Sequence, residues 1–112
     1  MVIRRGDIVL VDFDPAKDFE ASKKRPAIVV SNNISNQFAH VLIVVPLTTN
    51  LKRVYPHELV LFTHEVDIKE DSKTQVHLIR HVSKARVLKV LTHLSSEIMF
   101  ELDILLREQL NL

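Results

Sequence analysis

The stretch Lys23-Lys24-Arg25-Pro26-Ala27-Ile28-Val29-Val30-Ser31-Asn32-Asn33 constrains the fold more than any other part of the chain. Three consecutive cations pass through a proline into four apolar residues, and the run stops at a Ser-Asn-Asn turn. β-Branched side chains in a short apolar run bounded by turn residues predict a buried strand, here over 27–31. Pro26 fits the first residue of that strand, because it has no N–H for a ladder. It also biases Arg25 toward an extended backbone. A basic loop therefore feeds a rigid buried element, and the Arg25 guanidinium is carried at its entrance.

The neighbouring segments extend this pattern. Residues 7–13 form a short apolar strand, ended by Asp14-Pro15 as a turn. Gly6, the one glycine of the chain, precedes that strand where the backbone needs conformational freedom or close approach. Residues 16–24 form a polar loop, long for a hairpin connection. One helical turn is expected over 33–37. A nearly continuous apolar run over 41–47 predicts a third strand buried on both faces. Residues 58–62 alternate as a half-buried strand does, 64–73 is acidic and turn-like, 75–82 alternates loosely, and 87–91 is a short apolar strand. Ser95 is suited to cap a C-terminal helix, with Glu97 in its first turn. Ile98, Leu102, Leu105, Leu106 and Leu110 recur at helical spacing and form its core-facing stripe. Several short strands and one terminal helix predict a mainly β protein with α (α+β), a strongly curved sheet or partial barrel covered by a helix.

Composition narrows the chemistry. A chain of 112 residues, 46% hydrophobic and 26% charged, is expected to form one domain over 1–112 with one core. The absence of cysteine excludes disulfides, thiolate metal sites and cysteine nucleophiles. No apolar run reaches the length that spans a bilayer and no signal segment opens the chain, so a cytoplasmic protein without a membrane partner is expected. The six histidines show no ligand spacing with acidic partners, and a single glycine rules out a glycine-rich phosphate loop. No metal and no cofactor is expected. The formal net charge is +1, yet Arg4-Arg5, Lys23-Lys24-Arg25 and Lys52-Arg53 cluster in or beside loops. Read by charge alone, these are solvated loop cations; converged on one face, they suit phosphates.

Three blocks in order carry a family resemblance: residues 5–15 from Arg5-Gly6-Asp7 to Asp14-Pro15, then Lys23-Lys24-Arg25-Pro26 with the Ser31-Asn32-Asn33 turn, then Val45-Pro46-Leu47-Thr48-Thr49-Asn50. The chain resembles the MazF/PemK toxin family over nearly its whole length. The resemblance is strong to about His57, weaker through the middle, and resumes at Ile79-Arg80 and Leu94-Ser95-Ser96-Glu97. It implies a small SH3-like, CcdB/PemK-type barrel of short antiparallel strands with a C-terminal helix. It also implies a sequence-specific, metal-independent endoribonuclease acting on single-stranded RNA. The implied partners are a cognate MazE-like antitoxin and a second copy in a homodimer, with RNA in the groove between subunits.

The same resemblance places catalytic roles on Arg25, Thr48 and Glu20. A fixed guanidinium meets the charge that builds on phosphoryl oxygens when a 2′-hydroxyl attacks phosphorus. The Thr48 hydroxyl, at the exit of a buried strand, is either a strand-end residue or a phosphate ligand. Glu20, in the loop before Arg25, is a general base or an ion-pair partner of Arg25. RNA contacts are expected from Lys23 and Lys24, from Thr49 and Asn50, from Lys52, Arg53 and His57, and from Arg80. Phe19 either stacks on a base or packs on its own barrel. His77 and Leu78 replace the acidic residue and glutamine common in relatives. His77, grouped with His57 and His81, is an exposed strand histidine or an acid–base or base-contacting group. The alternative of another class is a binding protein of the same fold, either a gyrase poison like CcdB or a catalytically weakened protein that binds only RNA or antitoxin.

Overall fold

The computed structural model describes residues 1–13 and 24–112. Its strands are β1 (Asp7–Asp12), β2 (Lys24–Val29), β3 (Val41–Thr48), β4 (Val60–Leu61), β5 (Ser72–Thr74), β6 (Arg80–Ser83) and β7 (Val87–His93). Helices α1 (Asn33–Phe38) and α2 (Ser96–Leu110) complete the regular structure, with single 3-10 turns at Val76–Leu78 and Lys84–Arg86. All strand pairs are antiparallel. The sheet runs β4-β5-β3-β2-β1-β7, and β6 pairs with the first half of β3. It curls into a half-barrel with α2 over its open side, as expected of the fold.

The three central strands are buried on both faces, which explains their continuous apolar runs. Ile8, Ile28, Val45 and Leu47 point to one cluster, where Leu94, Met99, Leu102 and Leu106 meet them. Val9, Val11, Ala27, Val29, Leu42 and Val44 point to the other, joined by Val82 and Val87. The alternation has the period of a strand, so a one-residue slip would exchange the two sets. Toward its start β3 departs from two-sided burial: Val41 and Ile43 are exposed.

Several boundaries differ from the sequence reading for physical reasons. β2 begins at Lys24, so Pro26 is its third residue and not its first. Pro26 faces Leu10 of β1, and pairing with β3 begins only at Ala27. The proline therefore still lies where the strand has one neighbour. Pro46 sits where β3 changes partner from β6 to β5, and its carbonyl accepts from Gln75 N–H at 2.9 Å. The strand expected over 58–62 shrinks to Val60–Leu61, and the loose alternation over 75–82 is broken by the 3-10 turn. Ser72 and Lys73, at the end of the segment read as an acidic turn, join Thr74 in β5. Leu110, placed on the core stripe of α2, is exposed, whereas Met99 is buried.

Polar side chains close the turns that glycines would otherwise make. Asn32 caps α1 by accepting from Ser35 N–H at 2.8 Å, and Asn33 accepts from Arg5 N–H at 2.7 Å. Buried Asn36 donates to the Ser31 carbonyl at 2.8 Å, and the Ser31 hydroxyl donates to the Asn36 side-chain oxygen. Ser95 caps α2 as expected. Arg5 bridges the Val30 carbonyl (2.9 Å) and Asp103 of α2 (2.7 Å). Gly6 has φ +95°, and its N–H reaches Val29 O while its carbonyl accepts from Leu94 N–H. A Cβ there would lie 3.2 Å from His93 Cε1 and 3.4 Å from Met99 Cγ. Gly6→Ala is expected to cost about 1–3 kcal/mol, seen as a lower urea midpoint at unchanged m-value; an unmoved midpoint contradicts this account.

Candidate active site

The register of β2 on β3 brings Arg25 and Thr48 together. The paired residues are Ala27↔Pro46, Ile28↔Val45 and Val29↔Val44. Continued by two residues, this register sets Arg25 opposite Thr48, at the same end and on the same face of two adjacent strands. Both line one open groove of about 400 Å³, together with Lys24, Thr49, Glu70 and Ser72. Lys24 and Thr49 are exposed, and Arg25 and Thr48 are half-buried. Half-burial suits a guanidinium that must be held in place yet reach a ligand.

Thr48 is poised by the turn that follows it. Its Oγ1 accepts from Asn50 N–H at 3.2 Å, and Asn50 Oδ1 accepts from Lys52 N–H at 3.2 Å. With an oxygen lone pair used in this way, the Thr48 hydroxyl proton is left to donate into the groove. The groove thus pairs fixed positive charge with hydroxyl donors, the donor set that suits a phosphodiester.

The other expected residues fall in separate places. His57 and His77 meet: their rings are perpendicular with centroids 5.0 Å apart, and Tyr55 stacks on His57 at 5.6 Å. His77 lies on the 3-10 turn Val76–Leu78 rather than on a strand. Arg53 Nη1 reaches Tyr55 Oη at 3.5 Å. Arg80 sits over the Phe13 ring at 5.1 Å and is not part of the groove lining, and His81 lies on β6 opposite Ile43. Phe19, Glu20 and Lys23 lie outside the described residues.

Two features were not anticipated. Glu70 brings a carboxylate to the groove, from a segment whose acidity was visible but whose position depends on how β5 docks on β3. Glu58 and Lys73 form a buried ion pair at 3.0 Å, with side-chain exposures of 2% and 10%. Lys73 also donates to the Arg53 carbonyl and lies 5.8 Å from the Tyr55 ring centroid, while Glu58 accepts from Tyr55 N–H at 2.8 Å. The pair fastens the connection after Thr48 to β5. The two residues stand 15 apart in the chain, and no local spacing links them.

Comparison with known proteins follows the same lines. Residues 4–110 match the family described as the PemK-like, MazF-like toxin of type II toxin–antitoxin systems. The chain belongs to this toxin family. It is 37% identical to the endoribonuclease MazF9 of Mycobacterium tuberculosis over 116 residues, covering 99% of this chain and 98% of that one. It is 29% identical to the endoribonuclease EndoA of Bacillus subtilis over 104 residues, covering 92% and 90% of the two chains. Among solved structures, MazF of Deinococcus radiodurans superposes with TM-score 0.82 at 23% identity, covering 100% of this chain and 99% of that one. A mycobacterial endoribonuclease solved in complex with its cognate antitoxin superposes with TM-score 0.81 at 20% identity, covering 98% and 96%. These structures share the toxin's fold.

The ion pair makes a pH signature in this toxin. Burial alone would raise the Glu58 pKa, but the Tyr55 N–H and the Lys73 ammonium outweigh it, with help from the charge of His57, and hold the carboxyl below its usual 4.5. A carboxylate with a lowered folded-state pKa stabilises the fold fully above its unfolded value, and that contribution is lost as pH falls through the folded value. Glu58→Gln is therefore expected to lower stability at neutral pH and to flatten the acid decline below about pH 4.5. Urea titrations across pH check it; parallel curves for variant and wild type contradict the assignment.

Proposed function

We propose that this chain is the endoribonuclease toxin of a toxin–antitoxin pair, cutting single-stranded RNA through its own 2′-hydroxyl without a metal. The observation that carries this reading is the convergence of Arg25 and Thr48 in one groove, in a family whose matched relatives are named endoribonucleases. That naming also leaves the gyrase-poisoning or binding-only alternative unfavoured.

In the proposed reaction the 2′-oxygen attacks the adjacent phosphorus and the bond to the 5′-oxygen breaks. The 2′-hydroxyl proton passes to a base, and a proton is delivered to the departing 5′-oxygen. The products carry a 2′,3′-cyclic phosphate and a 5′-hydroxyl. Arg25 meets the charge building on the phosphoryl oxygens, where a preorganised cation is most effective. Thr48 donates its hydroxyl to the same group. Glu20 serves as base, and Glu70, the carboxylate that lines the groove among the described residues, is the second candidate for that role. Lys23, Lys24, Phe19, Thr49, Asn50, Lys52, Arg53, His57, His77 and Arg80 contact RNA on either side. Residues 1–112 act as one toxin domain in the cytoplasm; no helix among the described residues is long and apolar enough to cross a membrane.

Two partners follow from the same reading. One is a cognate antitoxin of the MazE kind, as in the related Deinococcus complex. The other is a second copy of the chain, supported by exposed Ile43, Phe100, Ile104 and Leu110 around an apolar groove of about 530 Å³ between α2 and the sheet. Light scattering is expected to give twice the 12.9 kDa chain mass; a mass of one chain at micromolar concentration removes the homodimer.

The deciding experiment is cleavage of a long single-stranded RNA in excess EDTA, with product ends mapped. Sequence-specific cuts with 5′-hydroxyl ends are expected. Arg25→Ala should lose activity by about 10²–10³-fold or more and Thr48→Ala by a smaller factor, both with native circular dichroism. Full activity of Arg25→Ala, or cutting that stops in EDTA, overturns the mechanism.

A further inference from the structure

We propose that His57, Glu58 and His77 form a binding site for a divalent transition-metal cation of the Zn²⁺ type, apart from the Arg25–Thr48 groove. The sequence shows no such site, because His57 and Glu58 belong to the connection after β3 while His77 belongs to the 3-10 turn after β5. Folding brings one ligand atom of each within 4.8 Å of the others. Two imidazoles and one carboxylate make a recognised zinc donor set. The single carboxylate and two nitrogens argue against Mg²⁺ or Ca²⁺, which take oxygen shells.

The surroundings fit a metal site in three respects. First, neither imidazole has a hydrogen-bond partner among the described residues, and His57 already lies within electrostatic reach of the Glu58 carboxylate. Second, Tyr55 stacked on His57 at an interplanar angle of 11° restrains that ring. Third, Glu58 is already oriented. Its Oε1 accepts from Tyr55 N–H and Lys73 Nζ, and no donor among the described residues takes Oε2. These partners fix the orientation of the carboxylate, while the Lys73 ammonium, at 3.0 Å, works against the charge of a bound cation. Tetrahedral zinc requires ligand atoms about 3.3 Å apart at bonds of 2.0–2.1 Å. Rotation of exposed His77 supplies the adjustment, and its open side leaves room for water as the fourth ligand.

A bound cation would staple the 49–58 connection to the turn over 76–78. Zinc therefore rigidifies the margin that carries Arg53 and His57 and takes both imidazoles away from any other partner. The inference does not rest on the nuclease reading, but a bound cation would withdraw His57 and His77 from the RNA contacts proposed for them.

The test uses the untagged full chain, titrated with Zn²⁺ by calorimetry, with thermal melting and Co²⁺ absorption in parallel. Expected are one site per chain at micromolar zinc or tighter, a higher melting temperature, and d–d bands of tetrahedral intensity with Co²⁺. His77→Ala and His57→Ala should each weaken binding at least about tenfold, the loss typical even for partners behind the ligands. His40→Ala and His81→Ala should bind as wild type. His77 is exposed, so its variant is expected to keep the native fold, checked by circular dichroism. Saturation only at millimolar zinc, or wild-type affinity in both His57→Ala and His77→Ala, overturns the proposal. Both outcomes are read from metal binding and not from RNA cleavage.

Discussion

Burial of β1, β2 and β3 on both faces is the constraint on which the rest depends. Each strand sends alternate residues to one of two apolar clusters, so Ile28 and Val29 sit back to back across the sheet. A slip of one residue would send every side chain to the wrong cluster. The register of β2 on β3 is therefore held by the core along its length. Arg25 and Thr48 stand just beyond the last buried residues of that register. Their opposition is a consequence of core packing and needs no direct contact between them.

Outside this core the chain relies on individual polar links. The sole glycine absorbs the positive φ where β1 approaches β7 and α2, and there Asp7, buried, accepts from Arg4 N–H at 2.8 Å and meets His93 Nδ1 at 2.6 Å. The Ser31–Asn36 network adjoins this turn, since Asn33 Oδ1 accepts from both Asn36 Nδ2 and Arg5 N–H. The Glu58–Lys73 pair does a different task, tying a long connection to a three-residue strand that has little apolar surface of its own. A buried pair of this kind is weak evidence for net stability, but removing one partner leaves the other charge buried and uncompensated, so the two stay together. Here the geometry they hold belongs to the rim that flanks the groove.

The site is accordingly two neighbourhoods carried by one scaffold. The groove at the ends of β2 and β3 holds cations and hydroxyls suited to a phosphodiester. The margin built from Tyr55, His57 and His77 holds stacked and perpendicular rings, suited to bases or to a soft cation. His77 and His57 set the chemistry of that margin and take no part in the lining that holds Arg25 and Thr48. The cationic groove and the ring-bearing margin are thus separable in this chain, with the first set by strands and the second by connections.

Much of this was legible in the residue order. The apolar runs at 7–13, 27–31 and 41–47, the Asn and Ser caps, Gly6, and the helical stripe from Ile98 all act through neighbours in the chain, so local periodicity and backbone preference reveal them. The Arg25-Pro26 and Thr48 motifs also belong to strand ends that can be found locally. The start of β2, the reduction of 58–62 to Val60–Leu61 and the β5 strand at Ser72–Thr74 were not legible, because each depends on which edge is offered by another strand. The arrival of Glu70 in the groove, the Glu58–Lys73 pair and the contact of His57 with His77 likewise depend on docking β5 against β3. Sequence alone determined the core strands, their caps and the residues at their ends, since those follow from short-range chemistry; tertiary structure alone decided which ends and connections meet, since that is set by register between segments far apart in the chain.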